Sequence, residues 1–144
     1  MTYLVDVNVW FALSYVAHVH HSIARSWFDE TESDQAALCR ITQSGLLRLL
    51  TNSKIMGPEV LTAARAWAAY DFLCSDVRVI FAPEPPRLEM TWREATKHIH
   101  TGPNFWTDAY LAAFAEAGEY AIVTFDRGFL RHRGVDVRLL TSAV

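Results

Sequence analysis

The stretch Tyr3-Leu4-Val5-Asp6-Val7-Asn8-Val9-Trp10 decides the fold. A short apolar run ends on a carboxylate, and the chain turns apolar again at once. Charged side chains are rarely buried without a partner. A buried strand ending on an acid puts charge at the carboxyl edge of a sheet, where open α/β folds bind their ligands. The pattern recurs late in the chain, where Ala121-Ile122-Val123-Thr124-Phe125 runs into Asp126. A third acid, Asp108, opens an apolar helix.

Strand and helix signals alternate between these points. Residues 2–6 read as a buried strand, followed by a helix from Val9 to Val16 and a second from His20 to Glu32 with Ile23, Trp27 and Phe28 on one face. Ala36 to Cys39 reads as a strand. Thr42 is the expected cap of a helix whose face carries Leu46, Leu47, Leu49 and Leu50. Gly57-Pro58 breaks the chain, and Pro58 to Ser75 reads as one long helix with Leu61, Ala64, Ala68 and Phe72 at helical spacing. A strand over residues 77–81 follows, then a helix from Arg87 to His98, a loop over Thr101 to Asn104, and a helix to Ala117. Residues 121–125 and 135–140 complete the set. Strands separated by helices imply parallel pairing with right-handed crossovers.

The 144 residues, 51% hydrophobic, suit a single domain spanning 1–144 with a sizeable core. Cys39 and Cys74 have neither zinc-site nor Cys-x-x-Cys spacing and read as small core residues in a reducing, cytoplasmic setting. No signal peptide and no membrane-spanning run is seen. The net charge of −3 excludes a binder that holds nucleic acid by global positive charge, so any such contact is local.

Each acid has a plainer reading. Asp6 can end a strand, Asp108 can complement a helix dipole, and Asp126 in Asp126-Arg127-Gly128 can make a turn. Three acids meeting at one sheet edge are costly without a cation between them. Mg²⁺ or Mn²⁺ accepts carboxylate oxygens and suits in-line displacement at a phosphodiester.

The residues then resemble a known family. Leu4 to Trp10, the run Phe105-Trp106-Thr107-Asp108-Ala109-Tyr110-Leu111-Ala112-Ala113 and the run Ile122-Val123-Thr124-Phe125-Asp126-Arg127-Gly128-Phe129 resemble, in order and over nearly the whole chain, the PIN-domain ribonucleases and, among them, VapC toxins. Cys39 to Leu49 resembles a mycobacterial branch. The resemblance implies a three-layer α/β/α PIN-like fold, with a mostly parallel sheet of four to five strands between helices. It implies an endoribonuclease acting on structured RNA such as tRNA or rRNA, using Mg²⁺ or Mn²⁺ at Asp6, Asp108 and Asp126. It further implies a homodimer and neutralisation by a VapB antitoxin.

One position departs from the family pattern. Gln43 stands where a glutamate is usual, which removes one negative charge and favours a one-metal mechanism. Asn8 and Thr124 are supporting candidates, through a metal water and a hydrogen bond to Asp126, although Asn8 can equally cap the next helix. Arg127 and Arg131, with His132, Arg133 and Arg138, can hold RNA phosphates. Arg40 and Arg48 suit RNA or an acidic antitoxin tail. His18, His20 and His21 match no zinc signature and read as a loop and helix start. Trp10 and Trp106 can stack on bases, with core packing as the simpler reading.

Two rivals remain. An aspartyl-phosphate phosphatase wants a second acid where Asn8 stands. A non-catalytic domain that binds RNA or a partner follows if Gln43 marks lost metal affinity.

Overall fold

The computed structural model describes residues 1–98 and 102–141. His100 and Thr101, the latter in the expected loop, lie outside them. Five strands, β1 (Tyr3–Val5), β2 (Ala36–Leu38), β3 (Val79–Phe81), β4 (Ala121–Thr124) and β5 (Val137–Leu139), form one sheet in the order β3-β2-β1-β4-β5. Every pairing is parallel. Such a sheet needs cover on both faces. Alternate residues serve the two sides. Val5, Ala36, Leu38 and Val123 join one core cluster, while Leu4, Ala37 and Ile122 join the other.

The first cluster is closed by α1 (Val7–Ser14), α2 (His21–Asp29), α3 (Arg40–Leu50), α4 (Ser53–Met56) and α5 (Ala63–Cys74). The second is closed by α6 (Leu88–Ala95), α7 (Phe105–Gly118) and a short 3₁₀ turn at Arg127–Arg131. The result is the expected α/β/α sandwich. Among the described residues no helix is long and apolar enough to cross a membrane.

Several local expectations are corrected. β1 stops at Val5 and α1 begins at Val7, because the Asp6 carboxylate accepts from Val7 N at 2.7 Å and starts the helix without a loop. Thr42 does not cap α3. Cys39 occupies the cap position, and Thr42 reaches back so that its hydroxyl accepts from Cys39 N at 2.9 Å. The long helix expected from Pro58 is interrupted. Pro58 lies in a 3₁₀ turn, Gly57–Glu59, and Thr62 caps α5 by accepting from Arg65 N.

That shift rotates the buried face of α5 to Ala66 and Tyr70 and leaves Phe72 82% exposed. Cys74, expected in the core, is exposed, while Cys39 is buried. Trp10 is fully buried, but Trp106 is 63% exposed, so core packing does not account for it.

Candidate active site

β1 and β4 are neighbours in register, with Val5 opposite Val123. Chain order reverses between them, since β2 and β3 lie to one side and β5 to the other. Their carboxyl ends therefore form a topological switch point, the usual ligand position in such sheets. Asp6 leaves the end of β1, and Asp126 follows just beyond β4. Asp108 comes from the first turn of α7, where its amide bonds Asn104 O.

Thr124 ties the two strand ends together. Its hydroxyl donates to Asp6 Oδ2 at 2.7 Å and accepts from Asp126 N at 2.9 Å. Asn8 completes the bridge, with its amide nitrogen 3.5 Å from Thr124 Oγ1 and its Oδ1 accepting from Phe125 N. Asn8 thus lies inside α1 and links it to β4, not on a continued strand and not as the cap. Asp126 Oδ1 accepts from Gly128 N at 2.8 Å, which starts the 3₁₀ turn, and fully buried Phe129 anchors that turn in the core.

The acids feel one another. Burial raises the Asp6 carboxyl, against hydrogen bonds from Thr124 and Val7, and Asp126 raises it further. Asp108 is pushed up to about 6, first by burial and then by the charges of Asp6 and Asp126, with Arg131 opposing. These are the shifts expected of carboxylates that are buried and lie near like charges. All three line a cleft of ≈ 560 Å³ together with Asn8, Ser44 and Arg48. Asp108 and Asp126 also line an adjoining cleft of ≈ 480 Å³ that continues to Arg131 and His132.

The donor set suits a hard cation. It offers carboxylate oxygens alone, with lone pairs beyond those used by Thr124, Val7 and Gly128. Among the described residues no three Asp, Glu, His or Cys side chains are gathered into a finished cage. The three acids share one cleft, and Asp108 feels the charges of both Asp6 and Asp126. Mg²⁺ also keeps several waters and needs only part of its shell from protein.

Other expected residues divide. Asn8, Thr124, Arg48 and Arg131 gather around the acids. Gln43 does not. It is buried, its Oε1 accepts from Arg40 Nη1 at 2.6 Å, and both residues line a neighbouring cleft with Trp67 that shares Ser44 and Arg48 with the acid cleft. Helical geometry explains the difference, because Ser44 and Arg48, four residues apart on one face of α3, line both clefts, while Gln43 is one residue round the helix and lines only the second. Arg127 is exposed at the start of the 3₁₀ turn and is not among the residues lining these clefts.

Some features carried little sequence signal. His18 lines the acid cleft from the loop after α1, with its Nδ1 accepting from His20 N and its ring edge-on to Phe11. Burial lowers its pKa, with His20 and His21 adding to the effect. Gly45 lets α3 approach α1, since a Cβ there would meet Val7 Cγ2 at 2.7 Å. A glycine inside a helix costs about 0.5–1 kcal/mol relative to alanine, so its position in α3 was the available clue.

Comparison with known proteins agrees with this geometry. The family model described as PIN domain matches residues 3–135. Ribonuclease VapC41 of Mycobacterium tuberculosis is 42% identical over 144 residues, covering 96% of this chain and 99% of that protein. Ribonuclease VapC38 of the same organism is 32% identical, covering 87% and 85%. Among solved structures, Mycobacterium tuberculosis VapC20, described as a sarcin-ricin loop cleaving toxin, superposes with a TM-score of 0.69 at 19% identity, over 95% of this chain and 99% of that one. VapBC2 from Rickettsia felis, bound to a promoter DNA fragment, gives 0.69 at 16% identity over 98% and 100%. At these identities the superpositions establish the fold.

Proposed function

Because the chain belongs to the PIN-domain family, and within it to the VapC ribonucleases, we propose that it is a Mg²⁺- or Mn²⁺-dependent endoribonuclease. It acts as the toxin of a VapB–VapC-type pair and cleaves structured RNA such as tRNA or rRNA. The observation that carries this reading is the convergence of Asp6, Asp108 and Asp126 on one cleft at the switch point of the sheet. The relatives at 42% and 32% identity are named ribonucleases, and one structural neighbour is titled as a toxin that cleaves the sarcin-ricin loop. A homodimer, a VapB-type antitoxin and a cytoplasmic location belong to the same proposal, with residues 1–144 as one domain.

Asp6, Asp108 and Asp126 are the residues that would hold the ion. What it supplies is neutralisation of charge on a phosphoryl oxygen and a lower pKa for water. Thr124 keeps the Asp6 carboxylate aimed into the cleft. In the metal-free fold, burial and the charges of Asp6 and Asp126 push the Asp108 carboxyl up to about 6, a cost that a bound cation would relieve. Arg131, whose Nε donates to Gly128 O at 2.9 Å, is held beside Asp126 without forming an ion pair with it. Its guanidinium is free to receive a phosphate oxygen. Arg48 serves the other side of the acids. Gln43 sits with Arg40 in a different cleft, so no catalytic role is assigned to it.

A second reading, an RNA- or partner-binding domain without catalysis, draws on Gln43, an uncharged amide where the family pattern has a glutamate. The phosphatase reading has no support beyond the strand-Asp pattern. One experiment decides among them. The purified chain is incubated with total RNA and Mn²⁺ or Mg²⁺, and new ends are sequenced. Discrete cuts that disappear in Asp6→Asn support the nuclease. Retention of RNA without cuts supports the binding domain.

A further inference from the structure

Beyond Arg131 and His132 the acid-side clefts open into a third, of ≈ 520 Å³, between α6, α7 and the segment after the 3₁₀ turn. Its rim carries Arg87, Arg131 and Arg133. Arg25, Arg78, Arg93, Lys97 and Arg138 sit in ion pairs with nearby acids. Among the described residues Arg87, Arg131 and Arg133 enter none. Two acids also line this cleft, and one of them, Glu94, is neutralised by Lys97 at 2.6 Å. The other, Glu116, packs against the backbone of Gly134, where a Cβ would meet its Oε1 at 2.7 Å.

Arg87 adds a second observation. It holds a left-handed backbone, φ 72° and ψ 8°, as the residue that begins α6. A long side chain rarely adopts this conformation, and such strain gathers where a side chain must be aimed. Here it accompanies placement of Arg87 on the same rim as Arg133.

We infer that this third cleft is a subsite for the RNA backbone, in which Arg87 and Arg133 hold phosphates one or more nucleotides away from the scissile bond. The inference rests on the ribonuclease reading and specifies its substrate as a strand long enough to run from the acids past Arg131. Unpaired guanidinium groups at successive points along a groove suit a polyanion with regularly spaced charges. The sequence of the strand is not read there, because phosphate contacts position without specifying.

The test uses the full chain in EDTA, with fluorescein-labelled oligouridylates of 4 and 12 nucleotides, by anisotropy over a range of salt. The double variant Arg87→Gln/Arg133→Gln should bind the 12-mer at least ten-fold more weakly, with a salt slope lower by about 1.4 for two phosphates on a single strand. Its affinity for the 4-mer should match the unaltered chain. Equal losses on both lengths, or no loss on the 12-mer, would overturn the subsite. So would a variant that keeps RNA binding but loses an acidic peptide, since that assigns the rim to a protein partner. Cleavage of total RNA by the unaltered chain, measured in parallel, separates failure of the subsite from failure of the nuclease reading. If the unaltered chain neither binds nor cuts RNA, both fall.

Discussion

Replacing Asp108 by asparagine should make the metal-free protein more stable, although it removes a residue proposed for catalysis. In the fold its carboxyl is pushed up to about 6 from an ordinary 3.8 by burial and by Asp6 and Asp126. A group whose pKa is raised on folding stabilises the fold while protonated. That contribution is complete below about pH 4 and is lost as pH rises through about 6. At pH 7.5 the fold therefore carries an ionised, repelled carboxylate.

A shift of this size corresponds to about 3 kcal/mol for a sealed group. Asp108 is half-exposed, and screening reduces the cost to about 1 kcal/mol. Asp108→Asn keeps the shape and removes the charge. In EDTA at pH 7.5 the variant should gain about 1 kcal/mol, or about 3 °C in Tm, in urea or thermal unfolding followed by tryptophan fluorescence. The gain should vanish at pH 3.5. Added Mn²⁺ should then stabilise the unaltered chain more than the variant. A variant less stable at pH 7.5, or equally more stable at both pH values, would refute the electrostatic account of the site.

Thr124→Val removes the donor to Asp6 and the acceptor for Asp126 N, and should cost about 1–3 kcal/mol in urea unfolding and lower cleavage at least ten-fold. Retained activity would show that Asp6 needs no such tether. Gly45→Ala drives a methyl into Val7 beside Asp6 and should destabilise by about 1–3 kcal/mol, despite the better helix propensity of alanine. A stabilised variant would mean that α1 yields freely. Gln43→Ala should leave cleavage within about two-fold, because the residue faces Arg40 and not the acids. A loss of a hundred-fold or more would return Gln43 to the catalytic machinery. Phe129→Ala should cost about 3–5 kcal/mol by emptying a fully buried position under the Asp126 turn.

The sheet and the gathering of the acids were legible in the sequence because both rest on short-range patterns. Apolar runs such as Leu4-Val5 and Ile122-Val123 serve two buried faces, and a carboxylate beyond each run has nowhere to go but the sheet edge. The turn of a helix was harder to read. On α3, Gln43 and Ser44 are adjacent and share one cleft, yet only Ser44 also reaches the acids, and the close packing of α3 on α1 at Gly45 sets which residue does so. On α5 the alanine-rich sequence supports several faces equally well. The start fixed by the Thr62 cap chose Ala66 and Tyr70 over Phe72. Cys74 followed that rotation to the surface. Arg87 and Arg133 line one cleft, and no local pattern announces that residues so far apart in sequence share it.

A carboxylate cluster that repels itself when empty should bind an ion by relieving that repulsion. Titration of the chain with Mn²⁺, followed by the loss of the free-ion electron paramagnetic resonance signal, measures this directly. The account predicts saturable binding to the unaltered chain at neutral pH that is weakened at least ten-fold in each of Asp6→Asn, Asp108→Asn and Asp126→Asn. Unchanged Mn²⁺ binding in all three folded variants would contradict it.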